Sequence, residues 1–137
     1  MYLLDTSVLS ELRRRHRTNP EVAAWADSVS PFDLYLSVIT ILEIEAGTLM
    51  LERRDEAQGR AFRAWIDNKV LPAFEDRILP VDVAIAQRCA RLHVPDPRPE
   101  RDALIAATAL VHRFKVVTRN IADFQSMGVE LINPWKR

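Results

Sequence analysis

This chain of 137 residues has one cysteine, Cys89, and only three glycines. A lone thiol excludes an intrachain disulfide, so packing and hydrogen bonds must hold the fold, as suits a reducing compartment. Cys89 lies in the apolar run Val83-Ala84-Ile85-Ala86-Gln87-Arg88-Cys89-Ala90 and is expected to be a small buried core residue. Three scattered glycines exclude the phosphate cradles of nucleotide-binding loops, which need several together. Neither sign of charge is in excess: 19 Lys and Arg balance 19 Asp and Glu. The whole-molecule field therefore attracts neither nucleic acid nor membrane, and an anionic partner must be met by a local basic patch or a bound cation. No apolar stretch is long enough to cross a bilayer, and Met1-Tyr2-Leu3-Leu4-Asp5 lacks the pattern of an export signal. A soluble, cytoplasmic protein is expected. His16, His93 and His112 are far apart with no metal-ligand spacing among them, and His-Glu-x-x-His and Gly-x-Ser-x-Gly motifs are both absent.

Apolar residues make up 48% and charged residues 28% of the chain, near the globular average, which predicts one domain over residues 1–137 with a substantial core. Short apolar runs at Tyr2 to Leu4, Leu34 to Val38, Ile78-Leu79, Val116-Val117 and Val129 to Ile132 alternate with longer stretches of helical spacing. This alternation predicts an α/β fold with a short, mainly parallel sheet flanked by helices. Thr6-Ser7 is expected to cap a helix from Val8, Asn19 one that begins at Pro20, and Asp82 one that runs to Leu92. Thr40-Ile41-Leu42-Glu43 fits a capping box. Ala61, Phe62, Trp65 and Ile66 share a face of a helix over 57–70, which Pro72 should stop. The proline-rich segment 94–99 is a loop leading into a helix from Glu100 or Asp102 to Arg113.

Ligands of open parallel sheets sit beyond the carboxyl ends of the strands. Asp5 follows the first strand, Glu43 falls in the first turn of the helix after the second, Asp102 opens the helix after the proline loop, and Asp123 lies in the turn beyond Val116-Val117. Four acids thus map to one edge. Two like charges about 4 Å apart cost roughly 4 kcal/mol at an effective dielectric near 20, so such a gathering calls for a cation. Hard oxygen donors select Mg²⁺, with Mn²⁺ as the alternative, and such an ion polarises a phosphoryl oxygen and acidifies bound water. Each acid has an ordinary alternative as a helix-capping or helix-dipole group, and spacing alone does not exclude all four.

The same residues carry a resemblance. The chain resembles the PIN-domain ribonucleases, in particular the VapC-type toxins of bacterial toxin–antitoxin pairs. The matching stretches run from Tyr2 to Leu12, Ser37 to Gly47, Asp102 to Ala109, Thr118 to Phe124 and Gly128 to Trp135, in family order along the whole chain. The resemblance implies a PIN fold and a Mg²⁺-dependent endoribonuclease that leaves a 5′-phosphate. Asp5, Glu43, Asp102 and Asp123 become the metal-binding and catalytic quartet. Thr6, Thr118 and Asn120 are implied as supports that orient those carboxylates. It also implies an antitoxin partner and assembly as a homodimer or dimer of dimers, for which Leu49, Met50, Leu51, Phe62 and Trp65 are candidate interface residues, with ordinary core as their alternative role.

Two rival functions remain. A phosphohydrolase with Asp5 as covalent nucleophile would want a second Asp at position 7, where this chain has Ser7. A domain that binds RNA or a partner without cutting has no need of all four acids. The basic run Arg13-Arg14-Arg15-His16-Arg17 is a candidate RNA grip, with a solvated helix C-terminus as its alternative.

Overall fold

The computed structural model describes residues 1–136, without the side chain of Arg15. In chain order the elements are β1 (Tyr2–Leu4), α1 (Thr6–Leu12), α2 (Pro20–Asp27), β2 (Leu34–Ser37), α3 (Val38–Arg54), α4 (Glu56–Trp65), α5 (Leu71–Ala73), β3 (Ile78–Leu79), α6 (Val83–Leu92), α7 (Glu100–His112), β4 (Lys115–Val117), α8 (Ile121–Phe124) and β5 (Leu131–Ile132). The strands form one five-stranded sheet in the order β3-β2-β1-β4-β5, with every pairing parallel. Each apolar run found in the sequence is a strand of this sheet, although the last is only two residues long.

Central strands of a parallel sheet bury both faces, which is why their sequences are continuously apolar. Leu3 and Leu4 are fully buried on opposite faces, as are their register partners Val116 and Val117. On one face Leu4 and Val117 pack with Val8, Leu9, Trp25 and Ile44. On the other, Leu3 and Val116 pack with Ile39, Ile105, Ala106 and Phe124. A smaller cluster of Ile85, Cys89, Ala103 and Ala107 joins α6 to α7, so Cys89 is the buried core thiol its setting predicted.

The caps at Asn19 and Asp82 form as expected: Asn19 Oδ1 accepts from the Glu21 and Val22 amides, and Asp82 Oδ1 from the Ile85 amide. Three local expectations are corrected. The capping box at Thr40 does not form, because β2 runs straight into α3 and Ser37 is the cap, its Oγ accepting from the Ile39 amide at 3.0 Å. Thr40 is therefore buried inside α3, and Glu43 is one turn further along than the first turn expected for it. At α1 the cap position is Asp5, while Thr6 and Ser7 lie inside the helix and turn their hydroxyls to carboxylates. Pro72 does not stop the helix that begins at Glu56. Residues Ile66–Val70 widen to a π-helix, the Leu71 amide bonds back to the Ile66 carbonyl, and the helix runs one residue past Pro72, to Ala73.

Candidate active site

The strand order changes direction at β1: β2 and β3 lie to one side, β4 and β5 to the other. The crevice outside the carboxyl ends of β1 and β4 is thus the place where a parallel sheet accommodates a ligand. Asp5 is the residue after β1, and Thr118 the residue after β4. The two are joined across the crevice, with Thr118 Oγ1 donating to Asp5 Oδ2 at 2.8 Å in a buried hydrogen bond. The Asp5 amide is fixed to the Val117 carbonyl at 2.9 Å. Ser7 Oγ donates to the same Oδ2 at 3.2 Å and accepts from the Arg119 amide. Asp5 is only 6% exposed, so a buried carboxylate is oriented here by two hydroxyls.

Glu43 reaches the same edge from α3. Its Oε1 accepts from Thr6 Oγ1 at 2.7 Å, and its Oε2 lies 4.0 Å from an amino group of Arg101. Asp102 sits in the first turn of α7 and Asp123 in α8. Burial is the main force that pushes the Asp102 carboxyl up to about 6, and the negative charges of Asp5, Asp123 and Glu43, in that order, raise it further. All four acids therefore share one electrostatic environment centred on Asp102. Of the other implied supports, Thr6 holds Glu43 and Thr118 holds Asp5. Asn120 enters through its backbone, its amide donating to Thr118 Oγ1 at 2.9 Å.

Sequence reasoning passed over Ser7 and Arg101. Ser7 had a signal, since a hydroxyl two residues after an aspartate is well placed to bond it. Arg101 had none, because its approach to Glu43 depends on how α7 is set against α3.

The donor set fits a hard divalent cation. It consists of carboxylate oxygens, one of Asp5 and one of Glu43 held in place by hydroxyls, around an acid whose ionisation its neighbours oppose. No three of the four carboxylates close to within 4.8 Å of one another. Mg²⁺ does not require this, because it takes one or two carboxylates directly and keeps several waters. The one trio among the described residues that does close to 4.8 Å is Cys89, His93 and Glu100. There the His93 Nδ1 accepts the Arg98 amide at 3.0 Å, so the neutral ring carries its proton on Nε2, the atom facing the other two side chains. Coordination at Nε2 would displace that proton and disturb the hydrogen bond that Nδ1 accepts from Arg98.

Beside the acids, Thr6 and Glu43 also form one wall of a cleft of about 210 Å³ that extends between α3 and α4 to Phe62 and Trp65. Arg13 stacks on the Phe62 ring at 3.8 Å and Arg14 pairs with the buried Glu11 at 3.3 Å. Two members of the basic run are thus engaged in the fold, and the side chain of Arg15 lies outside the described residues.

The PIN domain family model matches residues 2–129. The chain belongs to the PIN domain family. A VapC ribonuclease of Sinorhizobium fredii is 35% identical over 99% of both chains. The solved FitAcB structure from Neisseria gonorrhoeae superposes with a TM-score of 0.90 at 34% identity, covering 100% of both chains. A toxin–antitoxin complex from Klebsiella pneumoniae matches with a TM-score of 0.72 at 26% identity, again over 100% of each chain. The all-parallel sheet with flanking helices is the PIN fold implied by the sequence motifs.

Proposed function

We propose that this chain, as one PIN domain, is a Mg²⁺-dependent endoribonuclease and the toxin of a type II toxin–antitoxin pair. The observation that carries this reading is the convergence of Asp5, Glu43 and Asp123 on a half-buried Asp102 at the β1–β4 crevice. Asp5 and Asp102 are its direct metal ligands, with Glu43 and Asp123 completing the site. When bound, Mg²⁺ or Mn²⁺ supplies Lewis-acid polarisation of the scissile phosphodiester and acidification of the attacking water.

The protein's own share is positional. Thr118 and Ser7 hold one Asp5 oxygen, so the carboxylate presents a fixed direction to the crevice. Thr6 does the same for Glu43. Asp102 must lose its proton to act as a ligand, so metal affinity should rise with pH through about 6. Water attacks phosphorus, the bond to the 3′-oxygen breaks, and the products are a 5′-phosphate and a 3′-hydroxyl. A relative named as a toxin and one named as a ribonuclease support the reading, as does the solved toxin–antitoxin complex for a protein partner. Leu49 and Met50, 57% and 67% exposed on α3, are available to a second copy in a homodimer or dimer of dimers. Among the described residues no helix is long and apolar enough to cross a membrane, which suits a cytoplasmic enzyme.

The test is incubation of purified protein with single-stranded RNAs in Mg²⁺ or in excess chelator, followed by mapping of the cut ends. Cleavage only with metal, leaving 5′-phosphates, is expected. Cutting that persists in chelator, or 2′,3′-cyclic ends, defeats the reading.

A further inference from the structure

The chain's three glycines have different reasons to be there. Gly128 has φ +76, a backbone conformation that side chains rarely adopt. Gly59 is forced by packing: a Cβ there would stand 2.6 Å from the Glu52 Cα, where α4 crosses α3. Gly47 is different. It lies in the interior of α3, where glycine weakens a helix relative to alanine. A Cβ built on it meets nothing within 4 Å. Neither backbone geometry nor packing asks for a missing side chain at this point.

The space that a side chain at Gly47 would enter is the cleft beside the acids, of which Gly47 forms part of the wall. We propose that this cleft is a base-binding subsite, which takes one unpaired nucleobase adjoining the scissile phosphate. This rests on the nuclease reading of the acidic crevice. Thr6 and Glu43 belong to both the crevice and the cleft, so a base in the cleft and a phosphate at the acids belong to neighbouring groups of one strand. The far wall is Phe62 and Trp65, held edge-to-face at 6.1 Å and 86°, with Arg13 packed on the Phe62 ring. A rigid aromatic corner suits a flat ring, and stacking on aromatic side chains is how proteins hold splayed-out RNA bases. Ser10 and Arg54, both exposed residues, also line the cleft, and their side chains carry donors of the kind that suit the acceptor-rich edges of a base. An apolar protein anchor would use the aromatic wall but has no need of those donors. A nucleobase uses both.

The experiment uses the full chain and one synthetic RNA that it cuts, made in two forms: intact, or abasic at the nucleotide next to the cut. Wild type is expected to lose about tenfold or more in KM on the abasic RNA. Gly47→Leu should raise KM on the intact RNA by a similar factor, with kcat little changed, and should be indifferent to the missing base. Its melting temperature should not fall, since the added atoms enter open space. Gly47→Ala, the smaller filler and the better helix former, serves if the leucine variant does not fold, and should show a weaker form of the same pattern. Equal abasic penalties in wild type and both variants overturn the subsite. So does normal RNA kinetics in a variant that no longer binds its antitoxin, since the cleft would then belong to the protein partner. Failure of the wild type to cut any RNA with Mg²⁺ defeats the nuclease reading itself and is separately visible.

Discussion

Glu100 and Asp102 are two residues apart at the start of α7, yet they belong to different groups of ligand-type side chains. Glu100 is 75% exposed and faces Cys89 of α6 and His93 at the C-terminal cap of that helix. Asp102 is half-buried and feels the charge of three other acids, one just after β1, one in α3 and one in α8. The α6 trio is the tighter of the two, and by distance alone it is the better metal site. Hydrogen bonding reverses the order. In the trio the His93 lone pair at Nδ1 is taken by a backbone amide and its other nitrogen carries a proton, so the group is satisfied as it stands. In the acidic crevice the groups left facing one another are of one sign, and burial makes that sign costly at Asp102. On the proposed reading, what would mark a cation site here is electrostatic demand, and compactness is a poor guide to it.

The sharpest way to break this comparison is to neutralise one member on each side. Asp102→Asn or Asp5→Asn should lower RNA cleavage by on the order of a thousandfold or more, since a metal's stabilisation of transition-state charge amounts to several kcal/mol. His93→Gln should leave cleavage and its Mg²⁺ dependence near wild type. Initial rates over a Mg²⁺ titration check both, and a His93 variant that loses metal dependence would reverse the assignment.

Next in size is the support of the carboxylate. Thr118→Val keeps the shape of the side chain but removes the 2.8 Å bond that orients Asp5 across the crevice. A loss of about 10- to 100-fold in Mn²⁺ affinity is expected. Isothermal titration with Mn²⁺ measures it, and unchanged affinity would mean that the backbone bond from Asp5 to Val117 is orientation enough.

Part of this contrast was legible in the sequence, and the rest was not, for identifiable reasons. The strands were visible because both faces of the central ones are buried, so Leu3-Leu4 and Val116-Val117 are apolar without a break. The caps at Asn19 and Asp82 were visible because the bonds they make are local. Thr40 misled because a capping box presumes a loop before the helix, and here β2 enters α3 without one. Pro72 misled because a π-turn can absorb a proline. The expectation that the four acids share one edge came from topology alone. The partnership of Thr6 with Glu43, 37 residues apart, needed the relative placement of α1 and α3. No histidine was expected to pair with Cys89 because no nucleophile motif links them in sequence, yet the i, i+4 spacing at the end of α6 brings His93 Nε2 to 3.7 Å from its Sγ.

A third prediction concerns stability in the absence of metal, and its sign follows from the raised carboxyl of Asp102. Between the unfolded carboxylate value near 4 and the folded value of about 6, the folded chain binds more protons than the unfolded one, so stability falls as pH rises through that window. Above it the ionised group opposes folding in full. Asp102→Asn removes that opposition. In chelator at pH 8 the variant should therefore melt higher than wild type, by on the order of 1 kcal/mol after discounting for solvent screening, and the gain should vanish near pH 4. Thermal melts across this range decide it, and a variant that melts lower at pH 8 would mean that Asp102 supports the fold and is not a strained ligand.

The smallest effect is expected on the other side of the comparison. Burial first, and then the charge of Glu100, raise the Cys89 thiol above its ordinary value, so at neutral pH it stays protonated within the Ile85, Ala103 and Ala107 cluster. A protonated, buried thiol is a poor nucleophile and a poor ligand. Cys89→Ala deletes one small apolar group from the α6–α7 contact and should cost about 1 kcal/mol, the range of modest core truncations. Native Cys89 should react with iodoacetamide far more slowly than the same thiol in the unfolded chain, and Zn²⁺ should not slow it further. If Zn²⁺ did protect the thiol at stoichiometric concentration, the proton on His93 Nε2 would have to be displaceable and the Arg98 amide would have to give up its acceptor. In that case the compact trio would be a second metal site, and hydrogen-bond satisfaction would lose its power to tell the two clusters apart.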